Sequence, residues 1–385
     1  MKKLPLLIIG LSILLTACNS SIFKRGQDSI LTSKEVFTGS EGLVFEFFEN
    51  APPKEVFEKS PFPVGIRLHN KGACDIGPQV VGINSPYPIG VSTQIICHSP
   101  TGPKLPFIPS GYSEGFLSIG LENDYILPPK TIENLLGANV KLEDNQIITF
   151  ELTGKDLENS QGEREVITFI LETKDLKTLD PQTELRDSTI LLTACYKYRT
   201  LASADICIDT DIFGFKEKSK ACKVEDLELK DQGAPIAITK IEPQMNPEKD
   251  KPGYTRPMFV ITIENKANGE VIQGNRKTVK EACSSDPLGY KKWNRVDITA
   301  FVLKNGNQKE QLDCNLAHDT EIEGRLNPLA GVLDLKGKED KIRCQLANPI
   351  PESEGTYLTL LFIELDYGYT QSISRTVKIK KSLSY

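Results

Sequence analysis

One stretch of the chain has the residue types of a serine hydrolase. Residues 111–115 read Gly-Tyr-Ser-Glu-Gly and fit the G-x-S-x-G pattern, which places a nucleophilic serine on a turn between a buried strand and a helix. Three prolines between positions 103 and 110 argue against a central strand before Ser113, and the residues after it alternate as in a strand. The only downstream histidine is His318. We therefore predict a glycine-rich turn and keep a hydrolase using Ser113 as an alternative.

Three acidic residues near position 210 could offer oxygen atoms to a calcium ion. The spacing of Asp205, Asp209 and Asp211 lacks the glycine and the terminal glutamate of an EF-hand loop. We predict that these residues are solvated acids of a turn. The sequence predicts no catalytic residue, no metal site and no cofactor.

The nine cysteines divide into Cys18 and eight others. No Cys-x-x-Cys pair occurs, so the spacing of zinc ribbons and thioredoxin-like redox sites is absent. An even number of remaining cysteines predicts disulfides formed outside the cytoplasm. The candidates are Cys74, Cys97, Cys195, Cys207, Cys222, Cys283, Cys314 and Cys344.

The first eighteen residues of the chain independently predict export from the cytoplasm. Lys2 and Lys3 precede an apolar run over residues 4–15, and the segment ends in Leu-Thr-Ala-Cys at Cys18. As a helix the run is about 18 Å long, too short to span a bilayer, and it is typical of a secretory signal. It resembles the signals of bacterial and archaeal lipoproteins, which implies cleavage before Cys18 and lipid on its thiol. An ordinary signal with an incidental cysteine is the alternative.

Charge and polarity limit the partners of the chain. The net charge is −6 and no basic run occurs, so no nucleic-acid partner is predicted. Residues 18–41 are polar with little periodicity and predict a flexible tether to the membrane.

Two signatures recur along the chain and predict a duplication. An alternating strand runs into Asn-Lys at residues 64–72 and again at residues 259–267. Tyr-x-Tyr followed by a second apolar stretch occurs at residues 196–208 and again at residues 367–379. We interpret the second signature as a strand, a short turn and a closing strand that end each unit. Its tyrosines are predicted to pack within strands and to form corner hydrogen bonds.

Short alternating runs separated by turn-rich segments predict an all-β chain with two tandem antiparallel β-sandwich domains. Helical patterns are confined to residues 129–136 and 276–282. The predicted organisation is a signal peptide at 1–17, a lipidated N-terminus and tether at 18–41, a first sandwich at 42–215, a charged linker at 216–234 and a second sandwich at 235–382.

The strand that ends in Asn70-Lys71-Gly72 after a proline-containing lead-in resembles the immunoglobulin-like, cell-adhesion-related (CARDB-like) modules of prokaryotic surface proteins. The resemblance covers only part of each unit. It implies Ig-like sandwiches that bind, space or assemble and carry no catalytic residues. The chain departs from these modules in its longer loops and its larger number of cysteines.

If each unit is self-contained, its cysteines pair internally. Cys195 and Cys207 flank the predicted closing turn, so we expect a disulfide between them. The full set of expected disulfides is Cys195–Cys207, Cys314–Cys344, Cys74–Cys97 and Cys222–Cys283.

The region between residues 82 and 115 contains six prolines and the aromatic residues Tyr87, Phe107 and Tyr112. Stiff loops that present aromatic rings could form a binding surface, although we expect these rings to hold the loop onto its own sandwich. We predict an exported, lipid-anchored surface or envelope protein that binds an envelope protein or glycan and is not an enzyme. A structural spacer in an envelope or filament assembly is the alternative.

Overall fold

The chain is almost entirely β-structure. The computed structural model describes residues 37–77, 79–80, 91–92, 97, 114–126, 140–144, 146–176, 182–215, 219–284, 287–304, 308–314 and 330–382. None of the helices in these ranges is both long and apolar enough to cross a bilayer. The predicted signal peptide, Cys18, most of the tether and the helical pattern at 129–136 lie outside the described residues.

Alternating side chains explain the strands. In β10 (Arg164–Thr173), Ile167 and Phe169 are buried whereas Val166 and Ile170 are exposed, as expected for a strand with one face on the core. The other strands are β1 (Leu43–Phe47), β2 (Glu55–Phe57), β3 (Pro61–Asn70), β4 (Gln79–Val80), β5 (Val91–Ser92), β6 (Gly115–Leu121), β7 (Tyr125–Ile126), β8 (Val140–Asp144), β9 (Ile147–Phe150), β11 (Leu185–Asp209), β12 (Leu227–Glu228), β13 (Ile236–Pro247), β14 (Tyr254–Asn265), β15 (Glu270–Ile272), β16 (Arg295–Lys304), β17 (Gln308–Asp313), β18 (Gly331–Asp334), β19 (Glu339–Leu346), β20 (Ile350–Pro351) and β21 (Thr356–Lys380).

Helix α1 (Arg276–Ala282) confirms the helical pattern predicted at 276–282. It begins after Asn275, whose side-chain oxygen accepts a hydrogen bond from the Thr278 backbone N–H at 2.9 Å. Two 3₁₀ turns occur at Tyr290–Lys292 and Glu352–Glu354.

The described strands form three sheets. One sheet has the order β1-β3-β10-β7, and a small sheet pairs β4 with β5. The main path of the large sheet is β12-β13-β14-β19-β17-β16-β21-β11-β6-β9-β8, with β2, β15, β18 and β20 attached at its sides. One hydrophobic core contains residues of both predicted units and of the two larger sheets, and an all-β sandwich fold is confirmed. The count of two separate domains stays a prediction.

A single long ladder joins the two predicted units. Strands β11 and β21 each have 25 residues and pair antiparallel from Leu185↔Lys380 to Asp209↔Thr356, over about 80 Å. The turn predicted inside residues 196–208 is therefore wrong, because this region is one continuous strand. The same holds for residues 367–379. The polar residues that suggested a turn have strand partners from the other half of the chain.

Two of the four expected disulfides are wrong. Cys74–Cys97 and Cys314–Cys344 are bonded as expected, whereas the other pairs are Cys195–Cys283 and Cys207–Cys222. Cys195 and Cys207 lie in the same strand, about 40 Å apart by its rise per residue, so they cannot be bonded. Cys195–Cys283 crosses the boundary between the predicted units. Four disulfides are typical of a protein in an oxidising, extracytoplasmic compartment.

Candidate functional site

The recurrent asparagine signature forms a hydrogen-bonded corner with the recurrent tyrosines. In the first half, the Tyr198 hydroxyl accepts a hydrogen bond from the Cys74 backbone N–H at 3.2 Å and donates to Asn70 Oδ1 at 3.4 Å. Asn70 Nδ2 in turn donates to the Cys74 carbonyl at 2.8 Å. A side chain at Gly72 would collide with the Tyr198 hydroxyl, which explains the glycine of the Asn-Lys-Gly motif.

The second half repeats this corner with equivalent residues. The Tyr369 hydroxyl accepts from the Gly269 N–H at 2.8 Å and donates to Asn265 Oδ1 at 3.0 Å. Asn265 Nδ2 donates to the Gly269 carbonyl at 2.9 Å. The repeated contacts support the predicted duplication, and they confirm that these tyrosines make corner hydrogen bonds.

The other tyrosine of each pair holds the first strand of its half. The Tyr196 hydroxyl accepts from the Leu43 N–H at 3.3 Å, and the Tyr367 hydroxyl accepts from the Ile236 N–H at 3.4 Å. Tyr196 is paired with Tyr369 next to the centre of the β11–β21 ladder. All four tyrosines are fully buried. The four tyrosines therefore form a buried, hydrogen-bonded centre of the fold.

A charged cluster lies in the same ladder. Arg199 is 1% exposed, and its guanidinium makes two 3.0 Å bonds to the Asp366 carboxylate and a 2.9 Å contact with Glu364. Burial raises the pKa of Glu364 to about 7, although Arg199 opposes the shift. Burial alone would raise the pKa of Asp366 too, but the charges of Arg199 and Lys197 outweigh it and lower that pKa. Both acids have cationic partners, which is typical of a structural ion-pair network.

Several predicted site residues cannot be placed. Tyr87, Phe107, Tyr112, Ser113 and His318 lie outside the described residues, as does Cys18.

The residues after Ser113 are described, and they form strand β6 (Gly115–Leu121) where a nucleophile elbow needs a helix. A side chain at Gly115 would collide with the Phe150 ring, so close packing explains this glycine. Glu114, within the same motif, is buried and forms an ion pair with Arg276.

Two of the three clustered aspartates shape the loop that follows β11. Asp209 Oδ1 accepts from the Asp211 N–H at 3.0 Å, and Asp211 Oδ1 accepts from the Phe215 N–H at 2.9 Å. Lys220 forms an ion pair with Asp209 and donates to the Asp211 carbonyl at 2.7 Å. Asp205 lies apart from this loop. Within the described ranges, no group of three or more histidine, cysteine or acidic side chains could hold a metal ion.

This loop presents two aromatic rings to solvent. Phe213 is 66% exposed and Phe215 is 85% exposed, and their stacked ring centroids lie 5.8 Å apart. Gly214 between them has a φ of 68°, which glycine adopts without strain. The Cys207–Cys222 disulfide closes the loop at its base. We call Phe213 and Phe215 the aromatic tip.

An open groove of about 740 Å³ lies at the same end of the β11–β21 ladder. We call this recess the end groove. Its lining is half apolar and half polar: Leu303, Tyr357, Leu358 and Leu360, together with Asp205, Lys304, Glu354 and Thr359. Leu358 is 62% exposed, although it belongs to a paired strand.

The loop and the groove are held together at their bases. Thr210 Oγ1 donates to the Gly355 carbonyl at 2.9 Å, and Thr356 Oγ1 donates to Asp209 Oδ1 at 3.1 Å. Gly355 and Thr356 directly precede the groove residue Tyr357. The loop that carries the aromatic tip and the strand that lines the end groove are therefore joined at this end of the ladder.

Sequence reasoning missed the aromatic tip. The available signal was Phe-Gly-Phe at residues 213–215 in a charged stretch between two cysteines. No family of known proteins matches the chain, and curated proteins contain no significant relative of it.

Proposed function

We propose that the chain is an exported, lipid-anchored envelope protein that binds a protein partner through the aromatic tip. The exposed, stacked Phe213 and Phe215 carry this proposal. Two stacked exposed rings form a larger apolar patch than a single exposed side chain, and aromatic residues are enriched among those that dominate the energy of protein interfaces. A purely structural spacer has no need for them.

The rigidity of the loop supports a binding role. Among the described residues, a disulfide, the Asp209–Lys220 ion pair and the hydrogen bond from the Phe215 N–H to Asp211 restrain the backbone that carries the two rings. A preformed loop loses little conformational entropy on binding, so more of the contact energy remains as affinity.

The anchor is proposed to be lipid on Cys18. From Cys18 to Phe37, where the described structure begins, the chain can extend at most about 65 Å. Mass spectrometry of the mature amino-terminal peptide tests this step: an acylated Cys18 is expected, and an intact precursor with an unmodified thiol would contradict it. Cys18→Ser should abolish the acylation without unfolding the protein.

Site-specific photocrosslinking in native cells tests the tip. A photoreactive residue at position 215 should capture one defined protein, and Phe213→Ser in the same chain should abolish the capture. The matched control is position 290, where Tyr290 is 82% exposed away from the tip. Equal capture at both positions, or none at position 215, would refute a docking role for the tip.

A further inference from the structure

Strand β10 has an open edge in the four-stranded sheet. On one side, β3 pairs with residues 164–172 of β10. On the other side, β7 pairs only with Glu172 and Thr173. Within the described chain, residues 164–171 of β10 therefore face no strand on this second side.

The backbone groups of this edge point away from the sheet. The Thr173 N–H donates to the Ser60 carbonyl at 3.3 Å, on the side of β3. The Lys174 N–H donates to the Asp124 carbonyl at 2.8 Å, on the opposite side. Because these directions alternate along a strand, the N–H and C=O groups of residues 164, 166, 168 and 170 point to the open side.

Apolar side chains flank the open edge. Val166 is 40% exposed and Ile170 is 46% exposed, and positions two apart share a face of the sheet. Ile126, opposite Glu172 at the end of the edge, is 44% exposed on the same face. The Val166 N–H donates to the side chain of its neighbour Glu165 at 3.2 Å, a local contact that an incoming carbonyl can replace.

The chain blocks a comparable edge in another strand. Strand β12 pairs with only two residues of β13, and residues 242–247 extend beyond this pairing. The Glu248 N–H donates to the Tyr254 carbonyl of β14 at 2.8 Å, so the odd-numbered residues before it point to the open side. Two of these residues are Pro243 and Pro247, which have no N–H to offer to an added strand. Strand β10 contains no proline between its ends at Arg164 and Thr173, so its edge lacks this protection.

We infer that the open edge of β10 binds an extended segment of a partner protein, which joins the sheet as an added strand. The complement of a row of alternating N–H and C=O groups is another extended backbone. Val166 and Ile170 favour a segment with apolar, β-branched side chains at alternate positions, because such pairs pack well across neighbouring strands. This site does not depend on the aromatic tip.

Strand β7 limits what can occupy the edge. Residues 164–170 span about 23 Å, enough for a segment of about six or seven residues. Two copies of β10 that pair antiparallel about Thr168 would place Arg164 of one copy opposite Glu172 of the other. Ile126 already lies opposite Glu172, so a second copy is obstructed in this register. A short loop or terminal segment meets no such obstacle.

Hydrogen exchange of the full chain carrying Cys18→Ser shows whether the edge is open. The N–H groups of Thr168 and Ile170 should exchange about 100-fold faster than those of Ile167 and Phe169, which bond to β3. Equally slow exchange of all four would overturn the inference, because the edge would then be covered already.

A displayed library of random heptapeptides is the binding probe. Peptides selected on this chain should carry valine, isoleucine or threonine at alternate positions, and they should slow the exchange of the Thr168 N–H. Thr168→Pro removes an N–H that points to the open side and should weaken a selected peptide by about 10-fold or more. Thr168→Val keeps the N–H, and this matched control should bind like the parent.

A second variant covers the case in which the proline variant fails to fold. Ile170→Lys places a charge on the exposed face of the same edge and should also weaken the selected peptides by about 10-fold. No enrichment on the parent over a folded edge variant, or selected peptides that leave the exchange of Thr168 unchanged, would overturn the inference. Capture through position 215 should be the same in parent and edge variant, so failure at β10 leaves the proposed role of the aromatic tip intact.

Discussion

Replacing Asp75 with asparagine should change how stability depends on pH. Asp75 is 2% exposed and lies next to the bonded Cys74. Its Oδ1 accepts from the Gly154 N–H at 2.7 Å, while its Oδ2 has no partner among the described residues. Burial raises the pKa of Asp75 to about 7, although the bond from Gly154 opposes the shift.

The sign and the size of the effect follow from this pKa. Between about pH 4 and pH 7 the folded state holds a proton that an unfolded aspartate has lost, so the free energy of unfolding falls as the pH rises. A shift of about three units corresponds to roughly 4 kcal/mol across this window. The asparagine in Asp75→Asn would not titrate, and its side-chain oxygen can still accept from Gly154. The variant should therefore be more stable than the parent above pH 7 and lose part of the pH dependence.

Urea denaturation at pH 5 and pH 8 measures the effect. Asp340→Asn, at an exposed aspartate, is the matched control and should keep the slope of the parent. Glu364 has a pKa raised in the same direction, so some slope should remain in the Asp75 variant. An unchanged pH dependence in Asp75→Asn would refute the reasoning.

Two further substitutions test the ladder. Tyr369→Phe removes a buried corner hydroxyl and should lower the free energy of unfolding by about 1–3 kcal/mol. Tyr290→Phe is the control at an exposed ring and should leave the free energy of unfolding unchanged. Arg199→Met leaves two partly buried carboxylates without their main cation and should cost about 3 kcal/mol. Lys304→Met breaks a more exposed ion pair and should cost less than about 1 kcal/mol. Chemical denaturation measures all four variants, and equal losses within either comparison would contradict the structural roles assigned here.

Local patterns were enough to predict the fold class and the corners. Alternation of apolar residues predicts strands because it reports burial of one face, and the repeated Asn-Lys and Tyr-x-Tyr signatures mark positions that make equivalent contacts. The helical pattern at 276–282 also corresponds to a helix. These features depend on residues close together in sequence or on a visible repeat.

The long ladder could not be predicted in the same way. Residues 185–209 pair with residues 356–380, and nothing within either segment identifies so distant a partner. We predicted a short turn inside residues 196–208, yet Arg199 in this segment is paired with a carboxylate from the other strand. The error then propagated to the disulfides, since a turn between Cys195 and Cys207 was the reason to pair them. Exposure of Phe213 and Phe215 likewise depends on how the whole loop is held.

The central claim is that the chain is oxidised, that its two halves form one ladder and that a disulfide closes the loop of Phe213 and Phe215. Non-reducing peptide mapping of the protein isolated from cells tests this claim most directly. We predict peptides joined through Cys195–Cys283 and Cys207–Cys222, together with Cys74–Cys97 and Cys314–Cys344. Peptides joined through Cys195–Cys207, or eight free thiols, would contradict it.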